Sequence, residues 1–209
     1  MTTLDAALPD DADAASALIA ETDPPLFRHL GGGDIAFALA LLGTLWRRAG
    51  TVLSHDIARV AREATHAGRR VTGLLIAMPG RERAALLAAT NAAAAALVPP
   101  DRAAAIFAAW TAVDWLAPAI PEDAFFVQNL AVAAPTRRHG LGARILEAAC
   151  AIARHRGLAS VHLDVAADNQ AIAFYERCGF VRTVETRVPA LAPHGIAPHW
   201  RMVRALVPG

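Results

Sequence analysis

The chain contains no lysine: all 20 of its cations are arginine, set against 19 Asp and Glu for a formal net charge of +1. That balance leaves no chain-wide basic excess to draw nucleic acid or an anionic membrane surface. Without lysine there is also no Gly-Lys-Ser/Thr phosphate loop of the Walker A type. We read the missing lysine and the abundant alanine as codon bias. Only two cysteines are present, Cys150 and Cys178. They allow one bridge at most and belong to no CxxC pair, which suits a reducing, cytoplasmic compartment and argues against a cysteine-based zinc site. The eight histidines show no His-x-x-x-His spacing, so no metal site is expected. The start, Met1-Thr2-Thr3-Leu4-Asp5 with Asp10, Asp11 and Asp13 following, has neither the basic opening nor the apolar run of a signal peptide. The longest apolar run, residues 35–46, is far shorter than the ~20 residues a membrane helix needs. A buried amphipathic helix is expected there instead.

What is present suits a folded chain. At 209 residues and 55% hydrophobic, it can bury a core and is not disordered. Alternating Leu4, Ala6 and Leu8 predict a short first strand. Residues 10–22 read as a helix with acids in its first turn, stopped at Asp23-Pro24-Pro25. After a Gly31-Gly32-Gly33 loop, Asp34 is expected to cap a helix over 35–48. Residues 53–61 and 70–78 read as two strands of an antiparallel hairpin turning near Gly68. The stretches 81–97 and 102–116, separated by Pro99-Pro100, read as helices, the second with Ile106, Trp110 and Val113 on one apolar face, expected to be core. An apolar strand over 125–132 runs into a basic, glycine-bearing loop over 137–142 and a helix over 141–156. A strand over 160–165, a short helix over 171–177 and strands over 180–188 and 199–207 complete the chain. No repeat and no long linker divides it, so a single mixed α and β domain is expected over 1–209.

One segment carries chemistry. A strand ends at Val132 and is followed by Arg137-Arg138-His139-Gly140-Leu141-Gly142-Ala143 at the opening of a helix. The first turn of a helix presents unpaired N–H groups at the positive end of its dipole, which suits phosphate. Two glycines spaced by one residue let phosphate oxygens approach the backbone without meeting a Cβ. The Rossmann fingerprint is absent, because the third glycine and the downstream ribose acid are missing.

Arg137-x-x-Gly140-x-Gly142 after an apolar strand resembles motif A of the GNAT superfamily of N-acetyltransferases. Downstream, Asp168-Asn169-Gln170-Ala171-Ile172-Ala173-Phe174-Tyr175-Glu176-Arg177-Cys178-Gly179-Phe180 resembles motif B of the same family. The similarity covers 125–180. It implies a mixed, mostly antiparallel sheet flanked by helices, and acetyl-CoA as co-substrate. It further implies that Arg138, His139, Gly140, Leu141, Gly142 and Ala143 cradle the pyrophosphate, with Arg137 adding charge. The strand Leu130, Ala131 and Val132 would pair with the pantetheine arm, and Asn169 would contact that arm. Tyr175, the only tyrosine, would stand near the thioester sulfur as general acid. The base would be Asp164, which shares a strand face with His162; Glu122 and Asp123 are further candidates.

Two departures from the family pattern stand out. Asn169 lies six residues before Tyr175 where the family commonly has seven, a place held here by Asp168. Residues 81–116 form a helical insertion where the family has a tight hairpin, and are expected on the acceptor side or in a dimer contact. The expected activity is acetyl transfer from acetyl-CoA to a primary amine by direct attack, without nucleic-acid or membrane partners and with a homodimer left open. Two alternatives stand beside it: a CoA-binding regulatory or degenerate module that transfers nothing, and an enzyme using oxygen acceptors or longer acyl groups.

Overall fold

A computed structural model describes residues 4–66 and 68–206. Its centre is a seven-stranded sheet in the order β1-β2-β3-β4-β5-β7-β6. The strands are β1 (Leu4–Ala6), β2 (Ala58–Thr65), β3 (Gly68–Pro79), β4 (Ala124–Val132), β5 (Ser160–Ala166), β6 (Val181–Thr186) and β7 (His199–Ala205). β4 and β5 pair in parallel and every other neighbouring pair is antiparallel. The mixed, mostly antiparallel sheet expected from the resemblance is therefore present.

Seven α-helices cover it: α1 (Ala12–Ala20), α2 (Pro24–Leu30), α3 (Ile35–Arg47), α4 (Gly80–Ala95), α5 (Ala103–Asp114), α6 (Leu141–His155) and α7 (Ala171–Arg177). α6 lays Ile145, Leu146, Ala149 and Ala153 on one sheet face, against Phe125, Val127, Leu163 and Met202. α1 and α3 cover the other face with Ile19, Leu42 and Trp46 against Val60, Leu74, Ile76 and Met78. Each such fully buried large side chain contributes about 1.5–3 kcal/mol relative to exposure. Trp46 keeps its polar end satisfied by donating Nε1–H to the Leu8 carbonyl at 2.9 Å.

Several boundaries follow from identifiable chemistry. Asp34 caps α3 as expected, its Oδ1 accepting from the N–H groups of Ala36 and Phe37. The proline pair after Asp23 does stop α1, but it also starts α2. Asp23 Oδ1 accepts from Leu26 N–H at 3.1 Å, and prolines stand at the first helical positions, where a missing donor costs nothing. The strand expected from residue 53 begins only at Ala58, because Ser54 caps a short 3-10 turn over His55–Ile57. The last residue of the strand expected over 199–207, Val207, lies outside the described residues. Both cysteines are free. Among the described residues no single helix is long and apolar enough to cross a membrane; α2 and α3 reach that length only as a pair bent by 86°.

Candidate active site

Pairing between β4 and β5 runs from Ala124 opposite Ser160 to Val127 opposite Leu163 and then stops. β4 continues beside β3 to Val132, and β5 continues beside β7 to Ala166. The two strands therefore splay apart beyond Val127. Their register explains where. Against β3, Ala77 faces Val127 while Ile76 faces Asn129, so Gln128 is one extra residue in β4, a bulge. Backbone groups alternate sides along a strand. Ala133 N–H donates to Thr72 on the β3 side, so the backbone groups of Leu130 and Val132 turn into the gap.

A loop with left-handed backbone closes one end of the gap. Arg138 has φ 67° and Gly140, the residue before α6, has φ 76°. No side chain caps the α6 N-terminus, so its first N–H groups remain available. A Cβ added at Gly142 would lie 3.4 Å from Phe174 Cζ, ordinary contact, so the position admits a side chain sterically. Arg137 is occupied elsewhere. Its Nε donates to the Val132 carbonyl at 2.8 Å and its terminal nitrogen meets Glu21 Oε2 at 2.8 Å, tying the strand end to the C-terminal end of α1.

A cavity of about 1050 Å³ follows the gap. Of the residues expected to bind co-substrate, Leu130, Ala131, Val132, Arg137, Arg138, Gly140, Leu141, Gly142, Ala143, Asn169 and Tyr175 line it; His139 does not. Tyr175 is buried on α7, and its hydroxyl makes no hydrogen bond among the described residues. Burial, reinforced by the neighbouring Cys178 thiol, pushes the phenol up to about 12. Asn169 Oδ1 accepts from Ala171 N–H at 2.8 Å at the start of α7, and its Nδ2 reaches the Thr22 carbonyl at 3.4 Å.

Asp164 lines the cavity, but both its oxygens already accept from Arg201, at 2.5 and 2.9 Å. His162 is buried off the cavity, with Nε2 on Ser160 Oγ at 3.0 Å. Burial first, and then the Arg201 charge, lower its pKa. Glu122 and Asp123 are exposed and do not line the cavity. The expected core stripe on α5 divides: Ile106 is fully buried, whereas Trp110 and Val113 line the cavity.

Sequence reasoning missed several groups here. Asp23 Oδ2 lies 3.1 Å from His199 Nε2 at the cavity wall. The Asp-Pro-Pro signature foretold a cap but not this partner, 176 residues away. Arg83, Gln128 and Asn129 also face the cavity, and nothing in their local sequence marks them. Among the described residues no group of three or more His, Cys, Asp or Glu could hold a metal ion.

Known proteins share this fold. Residues 82–180 match the model of the acetyltransferase (GNAT) family. No curated protein sequence is significantly similar to the chain. Among solved structures, an N-acetyltransferase from Staphylococcus aureus Mu50 superimposes with a TM-score of 0.69 at 16% identity, over 96% of this chain and 99% of that one. Another acetyltransferase gives 0.66 at 15% identity, over 99% and 100%. The ribosomal-protein-S18-alanine N-acetyltransferase from Escherichia coli gives 0.54 at 16%, over 98% and 94%. At these identities the likeness is one of fold. The segment over 82–180 is thus similar in sequence to the GNAT family of acetyltransferases, and the whole chain is similar in fold to these acetyltransferase structures.

Proposed function

We propose that the chain is an acetyl-CoA-dependent N-acetyltransferase that moves an acetyl group to a primary amine by direct attack on the thioester. The observation that carries this reading is the gap between β4 and β5, with the left-handed loop and open α6 N-terminus at one end and the Tyr175 phenol inside. Residues 1–209 would act as one domain, 125–180 binding the co-substrate and 81–116 walling the acceptor side. The loop suits a pyrophosphate, since N–H groups and dipole both favour anionic oxygens there. The outward backbone groups of Leu130 and the N–H of Val132 suit an amide-bearing arm added alongside β4 as a further strand.

The chemistry then divides among named groups. Attack forms a C–N bond and a tetrahedral oxyanion, which backbone N–H groups near Val132 would stabilise. The C–S bond breaks and the thiolate leaves. A phenol held at about 12 stays protonated well above the ~8.5 of a free thiol. Tyr175 therefore donates a hydrogen bond to the thiolate and gives up its proton to the sulfur, to be reprotonated through solvent once a separate base has taken the amine proton. Asp164 is our candidate for receiving that amine proton. Both its oxygens accept from Arg201, so the proton would arrive on an oxygen already engaged by the guanidinium.

The test is acetyl-CoA calorimetry combined with thiol release across a panel of amines. Binding with amine-dependent thiol release is expected. A folded protein that binds no acetyl-CoA overturns the reading. Binding without release for any amine would favour a CoA-binding module.

A further inference from the structure

On the acceptor side of the gap the cavity widens between α3, α4 and α5, with apolar walls that include Leu41, Leu45, Leu53, Leu87, Trp110 and Val113. Three polar side-chain atoms lining the cavity are buried without a hydrogen-bond partner: Arg83 Nε, Gln128 Oε1 and Asn129 Oδ1. Arg83 stands in the first turn of α4, with its guanidinium carbon 5.2 Å from the centre of the Phe126 ring. The guanidinium carbon of Arg201 lies 5.5 Å from the same ring. Arg201 has Asp164; Arg83 makes no ion pair among the described residues.

The Arg83 guanidinium is partly buried, with Nε shut off from water and unbonded. Burial and the Arg201 charge disfavour its cation, and the Asp164 and Asp114 charges support it only at a distance, so an anion in direct contact would be favoured. Guanidinium groups match carboxylates in a planar, two-bond geometry. A phosphate would bring extra negative charge, while the cation beside Arg83, Arg201, is committed to Asp164. The apolar walls ask for an aliphatic or aromatic body. Gln128 Oε1 and Asn129 Oδ1 are acceptors at the bulge where the strands part, and so suit the N–H groups of an amine.

The chamber is also roofed. Trp110 Nε1 donates to the Leu30 carbonyl at 2.9 Å and Arg102 to the Gly31 carbonyl at 2.8 Å, pinning α5 to the end of α2. A compact molecule fits such a space better than a polypeptide. We infer that the acceptor is a small amino carboxylate with an apolar side chain, and that Arg83 binds its carboxylate while the chamber between α3, α4 and α5 takes its side chain. This rests on the acetyltransferase reading above.

The probes are L-leucine and L-phenylalanine, their neutral counterparts leucinamide and phenethylamine, and a leucine-initiated tetrapeptide. Turnover is followed by thiol release, and binding by calorimetry on CoA-saturated protein. The free amino acids should exceed their neutral counterparts and the peptide by about tenfold or more in kcat/KM, the effect of a charge-assisted hydrogen bond. In Arg83→Gln, KM for leucine should rise on the order of 10–100-fold while leucinamide and acetyl-CoA affinity stay unchanged. The variant should fold, because it leaves no buried charge unpaired. Equal use of leucine and leucinamide, preference for the peptide, or equal loss for both amines in Arg83→Gln overturns the inference. If no amine turns over, leucine binding by the wild type and not by Arg83→Gln supports it, and absence of leucine binding overturns it. Wild-type protein that fails to bind acetyl-CoA sinks the wider reading, and the inference with it; intact acetyl-CoA binding without carboxylate preference sinks the inference alone.

Discussion

The guanidinium of Arg201 takes both carboxylate oxygens of Asp164, and two further bonds to the carbonyls of Ala119 and Pro118 hold it in place. Both side chains are withdrawn from water, at 4% and 15% exposure. Asp164 therefore has a structural duty as well as its proposed chemical one, and the two separate experimentally. Asp164→Asn strands a buried cation and should lower stability by roughly 3–5 kcal/mol in urea denaturation, most of it recovered in Asp164→Asn/Arg201→Met. If Asp164 also receives the amine proton, kcat/KM of Asp164→Asn should fall most near neutrality and recover as rising pH supplies free amine. Profiles parallel to wild type would remove it from the chemistry.

Gly142→Glu places a carboxylate beside the open N–H groups of α6. The glycine has room for a side chain, so the fold should survive. Acetyl-CoA affinity should drop by two orders of magnitude or so, since steric block and like-charge repulsion act together. Unchanged calorimetric affinity in a folded variant would move the phosphate cradle elsewhere.

Tyr175→Phe should reduce kcat on the order of 10²–10⁴-fold with little change in acetyl-CoA binding. It also has a signature in stability. The phenol's ordinary value is 10.0 and the folded value about 12. Below pH 10 both states keep the proton and the folded state carries no penalty. Between pH 10 and 12 the unfolded chain releases it while the folded one cannot, so stability falls with rising pH by about 2–3 kcal/mol. Denaturation curves of wild type should show that alkaline loss, and Tyr175→Phe should lack it.

Trp110→Phe keeps an aromatic wall but deletes the bond to the Leu30 carbonyl. The lost bond should cost about 1 kcal/mol, read as a Tm lowered by a few degrees. Acceptor KM should rise while acetyl-CoA affinity stays put, because the residue touches only the chamber side. A selective loss of acetyl-CoA affinity would show that α5 supports the co-substrate instead.

How much of this was legible beforehand varied with the range of the interaction. Asp34 capping α3, the 171–177 helix and the Arg137-x-x-Gly140-x-Gly142 loop are local patterns, and the structure has them where the residues indicated. Helix α2 is hidden in the sequence because Pro24-Pro25 reads as a stop, although Asp23 followed by Pro24 is equally a start. Ser54 displaced the start of β2 through its own cap. The remaining site features are long-range: Asp23 with His199, Arg137 with Glu21, Asp164 with Arg201. Arg83 gives no signal among 20 arginines, since what distinguishes it is the absence of an ion pair among the described residues.

Gln128 is a residue that β4 carries without disturbing either of its neighbours. Before it, the odd-numbered Phe125 and Val127 pack among the apolar residues under α6; after it, the even-numbered Leu130 and Val132 do, while Asn129 reaches across to Thr22 at the end of α1. The alternation across Val127, Asn129 and Leu130 would be regular if Gln128 were absent, with the same β3 partners and the same faces. The bulge therefore lengthens β4 by one residue relative to β3 while α6 still meets an unbroken apolar stripe.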